Sequence, residues 1–188
     1  SELFLPESWA ADRARCQAAA IPDALDYRPK WRIALELYDR ARANHVTFAY
    51  LTFDEGYGGK PEFLRELDRR GQRYVAEVPR SFTGWLQAPR VTGRPYRKDG
   101  RGRGRATPRL AAGSLPAQSV EHQLNWAPAL RDQAWRRWHV KDTQKGPLVW
   151  ETKRVELVSK DAQGLPGATL QLLVARNVCN RQELKFFL

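Results

Sequence analysis

The sequence predicts a mixed α/β fold, an α/β unit first and a basic, β-rich region after it. Three observations predict it. Between Lys30 and Val78 the pattern runs helix, strand, helix, strand, which describes an α/β unit. The run Thr47-Phe48-Ala49-Tyr50-Leu51-Thr52-Phe53 is rich in β-branched and aromatic residues, as a buried strand is, and stops at Asp54-Glu55 and a glycine-rich turn. From Trp135 onward, short alternating segments replace helical spacing.

The elements follow in order. Leu3 to Leu5 reads as the tail of a strand, and Pro6 to Trp9 as a turn. Alanines favour a helix over residues 9–20, which Ile21-Pro22-Asp23 breaks. A second helix over residues 30–43 carries Trp31, Ala34, Leu35, Tyr38 and Ala41 at three- and four-residue steps, a stripe read as core packing. Asn44 suits the helix end because Asn tolerates the left-handed conformation, and His45 reads as a surface residue. After the central strand, Pro61 opens a helix where its missing N–H costs nothing. Phe63, Leu64 and Leu67 face inward at helical spacing, Gly71 caps the end, and residues 74–78 form a second buried strand.

The character changes near Pro79. Over residues 90–109 the chain is dominated by Arg and Gly, with Asp99 its only acid. No hydrophobic period survives, so the segment reads as a loop or flexible arm. A short helix is expected over residues 119–126. Strands are expected over residues 135–140 (half-buried), 148–158 and 169–178, with turns at Gly146-Pro147 and Gly164-Leu165-Pro166-Gly167 and an apolar run closing at Leu188.

The chain has 188 residues, is 42% hydrophobic and includes seven Trp, enough apolar material for a real core. Its formal net charge of +11 points to a polyanion, nucleic acid first and a membrane surface second. No apolar run approaches the roughly 20 residues a spanning helix needs, so no membrane span is expected. Cys16 and Cys179 are far apart and read as buried small hydrophobes; a reducing cytoplasm is the default. No Cys/His spacing resembles a zinc site. The chain has no methionine and opens within an apolar stretch, and both facts suggest a piece of a longer protein.

Chemistry concentrates at Asp54. An acid at the carboxyl end of a buried strand, before a turn into a helix, sits where open α/β sheets place ligand chemistry. The plainer reading is that Asp54 caps the turn and Glu55 is solvated. Neighbours on an extended chain point to opposite faces, so Glu55 is not expected to share an ion with Asp54. The turn Gly56-Tyr57-Gly58-Gly59 is too short for a dinucleotide fingerprint, and Lys60 lacks the Ser/Thr neighbour of a phosphate-binding loop.

Leu3-Phe4-Leu5-Pro6-Glu7-Ser8-Trp9, the helix from Lys30 to Tyr38, Phe53-Asp54-Glu55-Gly56-Tyr57-Gly58 and Tyr74-Val75-Ala76-Glu77-Val78-Pro79, in that order, resemble bacterial insertion-sequence transposases of the DDE superfamily, in their transposase-like DDE endonuclease domain. The similarity covers essentially the whole chain and is strongest over residues 1–83 and 174–188. It implies a partial ribonuclease-H-like core over residues 1–83 and a basic, β-rich insertion over 84–188. It also implies three carboxylates holding two divalent ions (Mg2+ or Mn2+), double-stranded DNA of transposon ends and target as the substrate, and a bacterial, nucleoid-associated cytoplasmic location with a homodimer as candidate assembly. Carried over by position, Asp54 is the second catalytic aspartate and a metal ligand. The first aspartate and the final glutamate are expected outside this chain, a central fragment, which would then be inactive alone.

The basic segment gives a second expectation. Arg90, Arg94, Arg97, Lys98, Arg101, Arg103, Arg105 and Arg109 would contact phosphates and release counterions, while glycines let the backbone follow the duplex. A solvated loop is the alternative. Trp135, Trp138 and Trp150, near Arg136, Arg137 and Arg154, could stack unpaired bases, but core and cross-strand packing is favoured. The rival to the enzyme reading is a non-enzymatic, basic nucleic-acid-binding module whose α/β half is only a scaffold.

Overall fold

The computed structural model describes residues 3–93, 107–144 and 146–188. The fold is mixed α/β with a strand-rich sheet. Its contacts divide the chain into two compact units, one of residues 1–51 and 62–73 and the other of residues 52–61 and 74–188.

The first unit holds α1 (Glu7–Ala10), α2 (Arg13–Ala18), α3 (Lys30–Ala43) and most of α5 (Pro61–Arg69). The single helix expected over residues 9–20 is two, because the Asp12 side chain accepts from the Arg15 N–H and starts a fresh helix there. Of the α3 stripe only Leu35 is buried, with Trp31, Ala34, Tyr38 and Ala41 half-buried, while the buried Ile33 lies outside the stripe as read. Its end differs in one detail: the left-handed residue is His45 (φ 60°), while Asn44 stays at φ −86°. In α5, Phe63, Leu64 and Leu67 are buried, and Gly71 takes φ 64° at its end.

An ion pair joins α3 to the end of α5. Arg70 donates two hydrogen bonds of 2.9 Å to the two oxygens of Asp39 and one of 2.7 Å to Glu66. The Arg70 hydrogen bonds hold the Asp39 carboxyl below its usual range. The stabilisation is therefore fully present above the ordinary carboxylate pKa and is lost as pH falls through the lowered one. Asp39 is half exposed, so the pair is worth a surface value. Replacing Asp39 with Asn is expected to cost about 1 kcal/mol at neutral pH and to flatten the acid limb of the stability curve, both read from urea midpoints across pH.

The second unit is built on one large sheet. Its strands are β1 (Leu51–Phe53), β2 (Tyr74–Val78), β3 (Thr83–Trp85), β6 (Gln118–Ser119), β7 (Arg136–Thr143), β8 (Gly146–Lys160), β9 (Pro166–Asn177) and β10 (Leu184–Phe187). Their order is β1-β2-β10-β9-β8-β3-β6, with β7 also paired to β8. The sheet thus takes strands from both sides of residue 83. β8 and β9 form a long antiparallel hairpin, with Trp150 opposite Asn177 and Val158 opposite Thr169. Asp161 makes its turn by accepting from the N–H groups of Gln163 and Leu165, with Gly164 at φ 77°.

Period-two alternation sorts the sheet's side chains. Register places Lys153, Val174, Phe186 and Val78 in one row on one face, with Leu172 and Leu157 on the same side. Phe186, Val174, Leu172 and Leu157 are at most 1% exposed. The helices α6 (Val120–Trp126) and α7 (Pro128–Arg131) belong to this unit and contribute buried Val120, Leu124 and Leu130. Ser119 caps α6 by accepting from the His122 N–H.

Three strand expectations need correction. The buried strand over residues 47–53 reduces to Leu51–Phe53, with Val46 and Tyr50 about half exposed; among the described residues β1 ends the sheet order. β7 is exposed along its whole length rather than half-buried, since β8 is its only strand partner among the described residues. The arm over residues 90–109 is not wholly irregular: β4 (Val91–Gly93) and β5 (Pro108–Leu110) pair antiparallel, Thr92 opposite Arg109. Cys16 is buried as expected, whereas Cys179 is exposed.

Candidate functional site

Asp54 ends β1 with an extended backbone (φ −79°, ψ 178°) and caps α4 (Glu55–Gly58). Its Oδ1 accepts from the Gly56 N–H at 3.0 Å, and its carbonyl accepts from the Tyr57 and Gly58 N–H groups. The carboxylate is exposed, and Oδ2 has no donor among the described residues. Asp54 is thus a helix cap with an exposed carboxylate. Glu55 is the first residue of α4 and is exposed as well.

The glycine-rich turn has a steric role that the sequence did not disclose. A Cβ on Gly58 would lie 2.0 Å from the Glu77 carbonyl oxygen and 2.9 Å from its carbon. A Cβ on Gly59 would meet the Glu55 carbonyl oxygen at 2.8 Å and the Pro79 ring at 3.3 Å. α4 therefore presses its backbone on β2, and that contact fixes where Asp54 stands. Glu77 itself points to the sheet face that carries Lys185, which donates to both its oxygens at 2.9 and 3.0 Å.

A hard, exposed carboxylate oxygen at a strand end fits a divalent cation as a single ligand. Among the described residues, no group of three or more His, Cys, Asp or Glu could hold a metal ion.

Of the eight basic residues singled out in the arm, Arg90 and Arg109 are exposed at the base of the β4–β5 pair. Arg94, Arg97, Lys98, Arg101, Arg103 and Arg105 lie outside the described residues.

The tryptophans occupy the two faces of the large sheet. Trp135 stands between Arg176 (4.1 Å from the ring centroid) and Lys153 (4.8 Å). Glu151 accepts from Arg176 at 2.7 Å and from Arg137 at 3.2 Å, and these bonds, Arg176's first, hold its carboxyl below the usual range. Burial, then the Arg176 charge, lowers the Lys153 pKa, and the ammonium donates to the Leu130 and Arg131 carbonyls. On the opposite face, Trp138 and Trp150 are direct cross-strand partners, as expected, but Trp138 is 45% exposed and is not core. They line an open groove of about 860 Å³ together with Arg136, Arg154, Lys185 and Phe187. Sequence reasoning missed Lys185 and Phe187, because only the pairing of β9 with β10 brings them beside Ala175 and Leu173. The apolar run closing the chain was their one signal.

An α/β domain with an open carboxylate at a strand end, in a strongly basic chain, has the frame of an enzyme acting on phosphate-bearing ligands. Residues 1–147 match the family described as DDE superfamily endonuclease, and the chain belongs to that family as a transposase-like DDE endonuclease domain. Endonucleases of this superfamily have a ribonuclease-H-like fold, act on DNA and use divalent metal ions. No curated protein and no solved structure matches the chain. No helix among the described residues is long and apolar enough to cross a membrane.

Proposed function

We propose that this chain is part of a DDE transposase that cuts and joins the double-stranded DNA of a bacterial insertion sequence, and that Asp54 is one of its metal-binding catalytic carboxylates. The observation that carries the reading is the open Oδ2 of Asp54 at the end of β1, within a chain that matches the endonuclease family over residues 1–147. Residues 1–83 then supply part of the ribonuclease-H-like core, and residues 84–188 a basic, β-rich insertion. The protein works on DNA in the bacterial cytoplasm, as a homodimer in its intact form.

Asp54 would hold Mg2+ or Mn2+, which when bound neutralises phosphate charge and supplies the activated nucleophile. This chain's residues do the positioning. The Gly56 N–H donates to Oδ1 and leaves Oδ2 for a cation. The close approach of Gly58 to Glu77 sets the height of Asp54 over the strand end. The cations of the basic segment, Arg90 and Arg109 with Arg94, Arg97, Lys98, Arg101, Arg103 and Arg105 between them in sequence, would hold the DNA backbone.

Two-metal phosphoryl transfer needs several carboxylates converging on ions about 4 Å apart, and Asp54 is one. The purified 188-residue chain is therefore expected to bind DNA, with affinity falling steeply with salt, and not to nick it. Supercoiled plasmid incubated with Mg2+ or Mn2+ checks this: turnover above a mock preparation would refute it. In a protein with the full carboxylate set, Asp54→Asn should abolish cleavage while DNA binding stays. A plain binding module predicts no loss.

A further inference from the structure

We propose that the open sheet face formed by β7, β8, β9 and β10 is a binding site for unpaired DNA, with Trp138, Trp150 and Phe187 as stacking platforms and Arg136 and Arg154 as phosphate contacts. It rests on the DNA-processing reading only for the choice of polymer.

Trp138 faces Trp150, Arg136 faces Thr152, Arg154 faces Leu173, and Leu173 faces Phe187, so all these side chains emerge on one side of the sheet. That side is the one opposite the buried row of Val174 and Phe186. On this face Trp138 is exposed and Trp150 and Phe187 are half-buried, an unusual cluster of accessible rings, since such rings are normally covered.

Charge says what would lie on it. No carboxylate lines the groove among the described residues, whereas the side chains of Arg136, Arg154 and Lys185 stand on its face. Lys185 is committed to Glu77. Arg136 and Arg154 have no acidic partner among the described residues, so their charges are open to a polyanion. The ring of Trp138 is already oriented, since its Nε1 donates to Thr152 Oγ1 at 2.8 Å and Arg136 lies 4.3 Å from its centroid. A preset ring loses little freedom when a base stacks on it.

The rings select the unpaired strand. In a duplex the base faces are hidden against each other, and only edges and phosphates reach a protein. An aromatic face gains from a base only when that base is unstacked, and the gain is sequence-tolerant. Cations alone would accept any polyanion.

The test uses the 188-residue chain with three probes: oligo-dT, a duplex of equal length, and heparin. Tryptophan fluorescence and anisotropy report binding. Oligo-dT is expected to quench the tryptophans and to bind more tightly than duplex at the same salt. Trp138→Ala should weaken oligo-dT about tenfold and leave duplex and heparin unchanged, while Trp138→Phe keeps most of the affinity. Arg154→Gln should lower the salt slope for oligo-dT by about one. Circular dichroism melts establish that each variant is folded, and both positions are exposed. Equal affinity for oligo-dT and duplex, a Trp138→Ala variant that binds oligo-dT normally, or concentration-dependent self-association that quenches the tryptophans without DNA would each overturn the proposal. Asp54→Asn should leave oligo-dT binding intact, so failure here and failure of the catalytic reading are distinguishable.

Discussion

Asp54→Asn is expected to lower metal-dependent DNA cleavage by about a thousandfold or more in a protein carrying the full carboxylate set, because a metal centre supplies several kcal/mol of charge stabilisation in the transition state. The substitution is isosteric and keeps the cap: an asparagine carbonyl oxygen accepts from the Gly56 N–H as well as the carboxylate does. Stability should therefore stay within about 0.5 kcal/mol of the parent. DNA affinity should be unchanged or slightly higher, since one negative charge is removed. Plasmid nicking, a urea titration and a binding isotherm together check the three claims. Retained cleavage would remove Asp54 from the centre. Lost stability would make it a structural cap alone.

Gly58→Ala should be the most damaging single-methyl change in the turn. Its Cβ would sit 2.0 Å from a backbone oxygen of β2, and backbone cannot swing away as a side chain does. Relief requires α4 to lift by more than an ångström. Overpacking of this kind costs about 3 kcal/mol, and a displacement of about 1 Å at a reacting group costs on the order of a hundredfold in rate. Gly56→Ala is the control. Its Cβ would lie 3.1 Å from Asp54 Oδ1, a side-chain atom that needs to give by only a few tenths of an ångström. That change should be close to neutral in stability, helped by the lower entropy of the unfolded chain. Equal urea midpoints for the two variants would show that α4 does not rest on β2 as tightly as its backbone contact indicates.

The sequence by itself determined the local elements with strong signals. α3 runs over the residues its stripe marks, Pro61 and Gly71 bracket α5, and β2 covers Tyr74–Val78. Hydrophobic period and punctuating residues act over a few positions, so a single chain discloses them. The break at Asp12 was legible in principle, since an Asp before Arg13 is a helix start, but the alanine-rich context hid it. The family was legible too, in the ordered motifs around Asp54 that the match over residues 1–147 bears out.

What the sequence could not decide is long-range partnership. Thr47 to Tyr50 have strand composition yet stay outside β1, because burial depends on a neighbouring strand and the sheet order ends there. Trp138 looks like core in sequence and is half exposed, because among the described residues β7 pairs with β8 alone. The contact of Gly58 with Glu77 joins residues far apart in the chain, and no glycine announces which backbone it must approach. The groove is the clearest case. Its rings and cations come from three strands, β7, β8 and β10, and only the antiparallel register of β7 to β10, fixed by burial of Val174 and Phe186 on one face, turns those side chains to the other.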